Sequence, residues 1–425
     1  MTIDFVKYII SHILFPNIPI KEFSYEIKKG NIIISYEDKK HSEKIFSDNN
    51  LFLSNQDYKL LDEIYNDILK ENKSNYNKLN ILKLVYYFSN EFYLSTIKPK
   101  DKHDRYFTGS IKENDIKYLE IPIVNILSNI FEENLQIKQD KKIKLNFTCD
   151  YDILNIWSTS SYKWILKRHL KNFLKHPLLL TFKEIKSFFL AKYSVENNPY
   201  LNAEMFLFDN QYSNIKISNY AFFLVDQGHK YFDPKNNFKE KSTILFLKKL
   251  LAMDVEIGLH PNYNSQYDGT LKNQLIKFKS IFKKQASSSR NHYLRGNWPS
   301  FLLNLETNGV EKDFSFGFAD SLLFRGGISS RFKMWNIEQK RAYNTWLSPL
   351  TIMDGTLQDY YSESLEKSLN MCLKKLELCY KFGDEITLLW HNRSMYKYGF
   401  EENILPDLFT MLVVEIKRLN NKYAI

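Results

Sequence analysis

Apolar and polar positions along this 425-residue chain follow two textures, which change near residue 140. Before that point the reading is mixed. "FVKYIISHIL" (5–14) and "NKLNILKLVYYFSNEFYL" (77–94) space apolar residues three and four apart, the period of a helix with one buried face. "NIIISYE" (31–37) reads as a strand, and the polar run "IKPKDKHDRYFTGSIKEND" (97–115), with Gly109 in a turn-like setting, reads as a loop. After residue 140 short apolar runs alternate with amphipathic ones. The strands are "KIKLNFTCD" (142–150), "YAFFLVDQG" (220–228), "VEIGLH" (255–260), "DFSFGFAD" (313–320) and "EITLLWHN" (385–392). Helices fall at "STILFLKKLLAMD" (242–254), from Asp268–Thr270 through "LKNQLIKFKSIFKK" (271–284), and at "PSFLLNLETNG" (299–309). Two more fall at "YYSESLEKSLNMCLKKLELCYKFG" (360–383) and "ENILPDLFTMLVVEIKRLNN" (402–421). Strand and helix in repeated alternation imply an α/β protein with a parallel sheet, open or closed into a barrel.

In such folds chemistry gathers where strands end. Asp150 and Asp152 close the first strand, Asp226 the second with His229 just beyond, and His260 the third with Asn262, Asn264 and Ser265 following. "SSSRNHYLR" (287–295) carries Arg290, His292, Tyr293 and Arg295. Asp313 and Ser315 stand in the fourth strand, Asp320 ends it, and His391 and Asn392 end the last. Mixed Asp and His ligands suit a divalent ion with an open position for water, a carboxylate to take a proton and a His to return one. Each residue also has an ordinary use: Asp152 as a helix cap, His260 in a turn, Arg290 paired with a surface carboxylate. His169, His176 and His229 read as loop or surface residues. Trp157, Trp298, Trp335, Trp346 and Trp390 could stack on sugars, although core packing is the default for aromatics.

Composition narrows the picture little. Apolar residues make up 44% and charged residues 25%, which excludes wholesale disorder. The net charge is +10, but Lys is dispersed among Asp and Glu, and no Arg-rich arm, zinc-finger spacing or RNA-binding signature occurs; no nucleic-acid partner is expected. The three cysteines (149, 372 and 379) form no CxxC pair and suit a reducing compartment. No run is long and apolar enough to span a membrane, so the expected setting is cytoplasmic, with or without peripheral attachment to an inner membrane.

Five ordered blocks carry a family resemblance: "FTCDYD" (147–152), "EIGLHPNYNS" (256–265), "RNHYLR" (290–295), "DFSFGFADSLLFRGGISSRF" (313–332) and "LLWHN" (388–392). Together they resemble the polysaccharide deacetylase (NodB homology) superfamily, related to carbohydrate esterase family 4. The nearer likeness is to a bacterial branch with an extra N-terminal domain, found in surface-polysaccharide biosynthesis. "DRYFTGSI" (104–111) looks like the linker of that branch. The resemblance implies a deformed (β/α) barrel of the NodB type at 141–425, preceded by a smaller mixed α+β accessory domain at 1–140. It implies Asp150 as general base with Arg290 as its partner, Asp313 in the catalytic set, and His391 as general acid. Asp152 and His260 would hold a divalent metal, Zn²⁺ or else Co²⁺ or Ni²⁺. The family's second metal His falls on Asn264, a poor ligand, and the Pro of its third motif falls on His292, which could supply the missing imidazole. Arg325, Tyr293, Asn392 and Ser265 are the expected substrate contacts. The implied activity is removal of an N-acyl group, acetyl first, from a sugar of a surface-glycan precursor carried on a nucleotide or lipid. The alternatives are hydrolysis of another ester or amide bond, and a degenerate domain that binds glycan without turnover.

Overall fold

The computed structural model describes residues 2–28, 31–44, 52–70, 80–95, 100–137, 142–159, 167, 178–206, 215–266, 269–296, 298–395 and 403–423. Near the N-terminus a three-stranded antiparallel sheet forms from β1 (Phe23–Lys28), β2 (Asn31–Tyr36) and β3 (Lys39–Lys44). Only β2 is apolar enough to stand out in the sequence; β1 and β3 are charged strands recognisable once they pair with it. Helices Ile3–Ile9, Ile81–Ser89 and Ile123–Leu135 lie around this sheet, and their buried faces join one apolar cluster that continues into the rest of the chain.

The second part is built on β4 (Lys144–Tyr151), β5 (Lys216–Phe223), β6 (Glu256–Leu259), β7 (Ser288–Ser289) and β8 (Lys312–Asp313). It continues through a small hairpin, β9 (Trp335–Asn336) with β10 (Arg341–Ala342), and then β11 (Trp346–Leu347), β12 (Ile352–Met353) and β13 (Glu385–His391). Eight of these strands form one sheet in the order β11-β8-β7-β6-β5-β4-β13-β12, and each neighbouring pair is parallel. Its two edge strands, β11 and β12, are separated by only residues 348–351. Such a link spans at most about 18 Å, whereas eight strands laid flat would span about 34 Å. The sheet therefore curls, and residues 348–351 carry the chain across the gap between its edges.

Strand β4 shows how the layers divide. Phe147 packs on Phe409 and Tyr151 on Phe246, both from helices outside the sheet. The alternate residues are polar: Asn146 donates to Glu385, Thr148 accepts from Arg290, and Asp150 pairs with Arg290. A strand places alternate side chains on opposite faces, so this polar column points into the curl. At β6 the column passes Gly258, where a Cβ would lie 2.6 Å from the Phe222 ring.

Several expected elements change at their edges. The apolar run at 313–320 makes a ladder only over Lys312–Asp313. Beyond it the chain leaves the ladder but gives carbonyls to the crossing segment, Asp313 O to Ser348 N–H and Phe316 O to Leu350 N–H. Helix 270–282 is preceded by Gly269, not Asp268, which lies outside the described residues, as do His169 and His176. The two-residue strands β7, β11 and β12 are too short for an alternation to register.

Candidate metal centre

Because all eight strands run parallel, their C-terminal ends share one rim. Asp150, the penultimate residue of β4, lies directly opposite His391 at the end of β13. Asp152 follows β4, His260 follows β6, and Arg290 follows β7. Asp152 is the centre of the group. His260 Nε2 lies 3.1 Å from its Oδ1, His292 Nε2 3.8 Å from the same oxygen, and His391 Nε2 3.8 Å from Oδ2.

All three imidazoles are held by their other nitrogen. His260 Nδ1 meets Arg290 O at 2.5 Å, His292 Nδ1 meets Asp233 Oδ1 at 2.7 Å, and His391 Nδ1 meets Asp354 Oδ1 at 2.7 Å. With Nδ1 donating to these oxygens, each ring presents an Nε2 lone pair toward Asp152 whenever it is neutral.

Asp152, His260 and His292 fit a divalent cation. One ligand atom from each lies within 4.8 Å of the others, and all three residues are buried. Bonds of about 2.0–2.1 Å in a tetrahedral site put neighbouring ligand atoms about 3.3 Å apart, between the 3.1 and 3.8 Å seen here. Asp152 Oδ1 and His260 Nε2 are buried with no hydrogen-bond partner among the described residues. Buried polar atoms left so are rare, and an ion between them would satisfy both.

Electrostatics agree. Burial opposes ionisation of Asp152, but His292, His391 and His260 hold its carboxyl far below the usual range. Burial disfavours protonation of His391, yet Asp354 and Asp152 push its pKa up to about 9. Burial likewise opposes charge on His260, and Asp150 and Asp152 outweigh it, raising its pKa. Asp150 is held by Arg290, whose Nη1 lies 3.1 Å from Oδ1; the same guanidinium also donates to Thr148 and Phe314 O and lies over the Phe222 ring.

The site opens into a cleft of about 820 Å³. Asp150, Asp152, His292, Tyr293, His391 and Arg393 line it, with Phe232, Tyr360 and the segment Asp101, Lys102, His103, Arg105. The loop expected at 97–115 thus contributes a wall of the site. Its aromatic surface comes from Phe232, Tyr293 and Tyr360; no Trp lines it among the described residues, and Trp157 and Trp390 are core residues.

Other expected contacts lie elsewhere. Asn264 turns its amide onto Gly228 O at 2.7 Å, a loop tie, and His292 stands at the ion-facing position instead. Arg325 is buried, its guanidinium forked onto Glu91, far from being free for substrate. Ser265 bonds Asn262 O and Asn291, and Asn392 bonds Ile153 O and Tyr200 O; both side chains are spent on loop geometry. Asp313 sits in the interior accepting from Ser289 and Ser315, with burial lifting its pKa to about 6; it does not line the cleft. Asp233 and Asp354, which orient the histidines, were absent from the sequence expectation. The run "TIMDG" (351–355) held a clue for the second: a carboxylate ending a short apolar stretch, like the other strand mouths.

No family model matches the sequence, and no curated protein matches it either. Among solved structures, the chain is similar to the crystal structure of a polysaccharide deacetylase from Mycobacterium smegmatis, itself assigned provisionally. That likeness has 11% identity and a TM-score of 0.39, over 68% of this chain and 92% of the other. A likeness of that size leaves the activity to be argued from the residues. No described helix is long and apolar enough to cross a membrane.

Proposed function

We propose that the chain is a metal-dependent hydrolase that removes an N-acyl group, acetyl first, from a sugar. The single observation that carries this reading is the convergence of three tethered imidazoles on Asp152, beside an Arg-held second carboxylate, in an open cleft. Asp152, His260 and His292 would hold the ion, which in such a ligand set makes water a nucleophile near neutral pH and polarises a carbonyl.

The remaining groups divide the proton work. Asp150, oriented by Arg290 and 3.8 Å from the His260 ring nitrogen, accepts a proton from the attacking water. His391, which ends a different strand and is fixed by Asp354, delivers a proton to the departing amine. The aromatic faces of Tyr293, Tyr360 and Phe232 offer apolar surface for a sugar ring. The non-catalytic alternative leans on Asn264 being a poor ligand, and a ligand set with His292 in its place favours turnover over it. A surface-glycan precursor as the physiological substrate is an extension of the same reading.

The test is acetate release from N-acetylated oligosaccharides by protein loaded with Zn²⁺, Co²⁺ or Ni²⁺. Asp150→Asn and His260→Ala should each abolish it while leaving the folded state intact. A metal-replete protein that releases no acetate from neutral or acidic N-acetyl sugars would sink the proposal.

A further inference from the structure

Among the described residues the cleft pairs its charges with three exceptions, the cations Arg393 and Lys102 and the carboxylate of Asp359. Arg290 is neutralised by Asp150 at 3.1 Å, and Arg105 by Asp101 at 2.7 Å, its remaining donors going to Tyr293 O and the Tyr360 hydroxyl. Arg393 and Lys102 also line this cleft, and both are exposed. No ion pair or side-chain hydrogen bond engages the Arg393 guanidinium among the described residues. Its main chain is nonetheless fixed, since Arg393 N–H donates to Asn392 Oδ1 at 3.0 Å, and Asn392 is itself buried. The position is two residues beyond His391, close enough to Asp152, Asp354 and Asp359 to feel their charge, yet Asp359, also at the cleft, forms no pair with it within 4 Å. An arginine held at a fixed place beside a reaction centre, with its planar fork of donors unspent, matches the geometry of a carboxylate or phosphate.

We infer that the cleft contains a subsite for an anionic group of the substrate, formed by Arg393 with Lys102. The inference rests on the hydrolase reading, because it names the class of sugar that would be acted on: an N-acylated sugar bearing a carboxylate or a phosphate. Lys102 comes from the segment ahead of β4 and Arg393 from the end of β13, so the subsite joins the two parts of the chain over the cleft.

The experiment measures binding separately from turnover. Full-length metal-loaded Asp150→Asn protein is titrated calorimetrically with N-acetylglucosamine, with N-acetylglucosamine 1-phosphate, and with a glucuronic acid–N-acetylglucosamine disaccharide. One anionic probe should bind about tenfold or more tightly than the neutral one, and the preference should shrink in 0.5 M salt. Which anionic probe wins assigns phosphate or carboxylate. Arg393→Gln should bring the ratio close to one, and Lys102→Gln should lower it partly, with melting temperature and metal content as in the parent. Equal binding of charged and neutral probes, a ratio untouched by Arg393→Gln, or no binding of either anionic probe would each overturn the inference. No acetate release by the metal-loaded wild-type protein, with the binding ratio intact, would instead count against the hydrolase reading alone.

Discussion

Asp354 grips His391 twice: Oδ1 meets the ring Nδ1 at 2.7 Å and Oδ2 accepts the main-chain N–H of the same residue at 2.7 Å. The carboxylate is fully buried, and although burial works against its charge, His391 holds its pKa below the usual value. One side chain therefore fixes both the tautomer and the placement of the ring. In Asp354→Asn one carboxylate oxygen becomes an NH₂, which cannot accept from both N–H groups. The expected result is a kcat lower by roughly a hundredfold or more, with KM and metal content little changed. Equal loss in metal content would show that Asp354 acts on the ion site, contrary to this assignment.

Asp233 does the same service for His292 and also accepts the N–H groups of His229 and Tyr263. Asp233→Ala should weaken metal affinity by about 10–100-fold, measured by competition with a chelator of known affinity. It should also lower the stability of the metal-free protein, since buried N–H donors lose their acceptor at about 1–3 kcal/mol each. Unchanged metal affinity would remove His292 from the ligand set.

An ion at Asp152, His260 and His292 binds the folded chain and not the unfolded one. Stripping it with a chelator should lower the unfolding temperature, and restoring it at a thousand times Kd should return about 4 kcal/mol. His260→Ala and His292→Ala should each suppress that restoration. Calorimetric traces that overlay with and without Zn²⁺ would refute the site.

The unequal legibility of these groups has a physical basis. Asp150, Asp152, His260 and His391 stand at the ends of apolar runs of four to eight residues, where a polar residue breaks the pattern. A parallel sheet sends all such ends to one rim, so their convergence was readable before any coordinates. Asp354 follows a strand of two residues and Asp233 lies in a loop, so neither sits against a periodic background. Polar residues in the same blocks could not be sorted by pattern at all. Ser265, Asn264 and Asn392 share strand mouths with the histidines but satisfy nearby backbone groups. Pattern alone leaves the sheet open or closed, because closure depends on the short span between β11 and β12; the expectation of a barrel comes from the family resemblance, and the curled sheet agrees with it.

The three thiols are all buried, and burial pushes Cys372 and Cys379 up to about 12 and Cys149 up as well. The thiolate is the reactive form, and at pH 8 a thiol of pKa near 12 is ionised to roughly one part in ten thousand. Native protein should therefore show no fast reaction with a disulfide dye, and three equivalents should appear on unfolding. A rapidly titrating thiol in the native state would contradict this packing.

Arg325 and Glu91 tie the N-terminal segment to the chain beyond β8. The guanidinium donates to both carboxylate oxygens, at 2.6 and 3.0 Å, and to Gly317 O, while the Tyr93 hydroxyl donates to Glu91 Oε1 at 3.5 Å and accepts from Gly326 N–H beside it. Both charges are nearly removed from water, so the pair's net worth is small but the cost of separating it is large. Glu91→Ala or Arg325→Ala alone should destabilise by about 3–5 kcal/mol, each leaving a buried charge without its partner. The double replacement should cost clearly less than the sum, since the second change removes the stranded charge. Denaturant unfolding of the four proteins closes the cycle. Additive losses would mean that the two residues act independently.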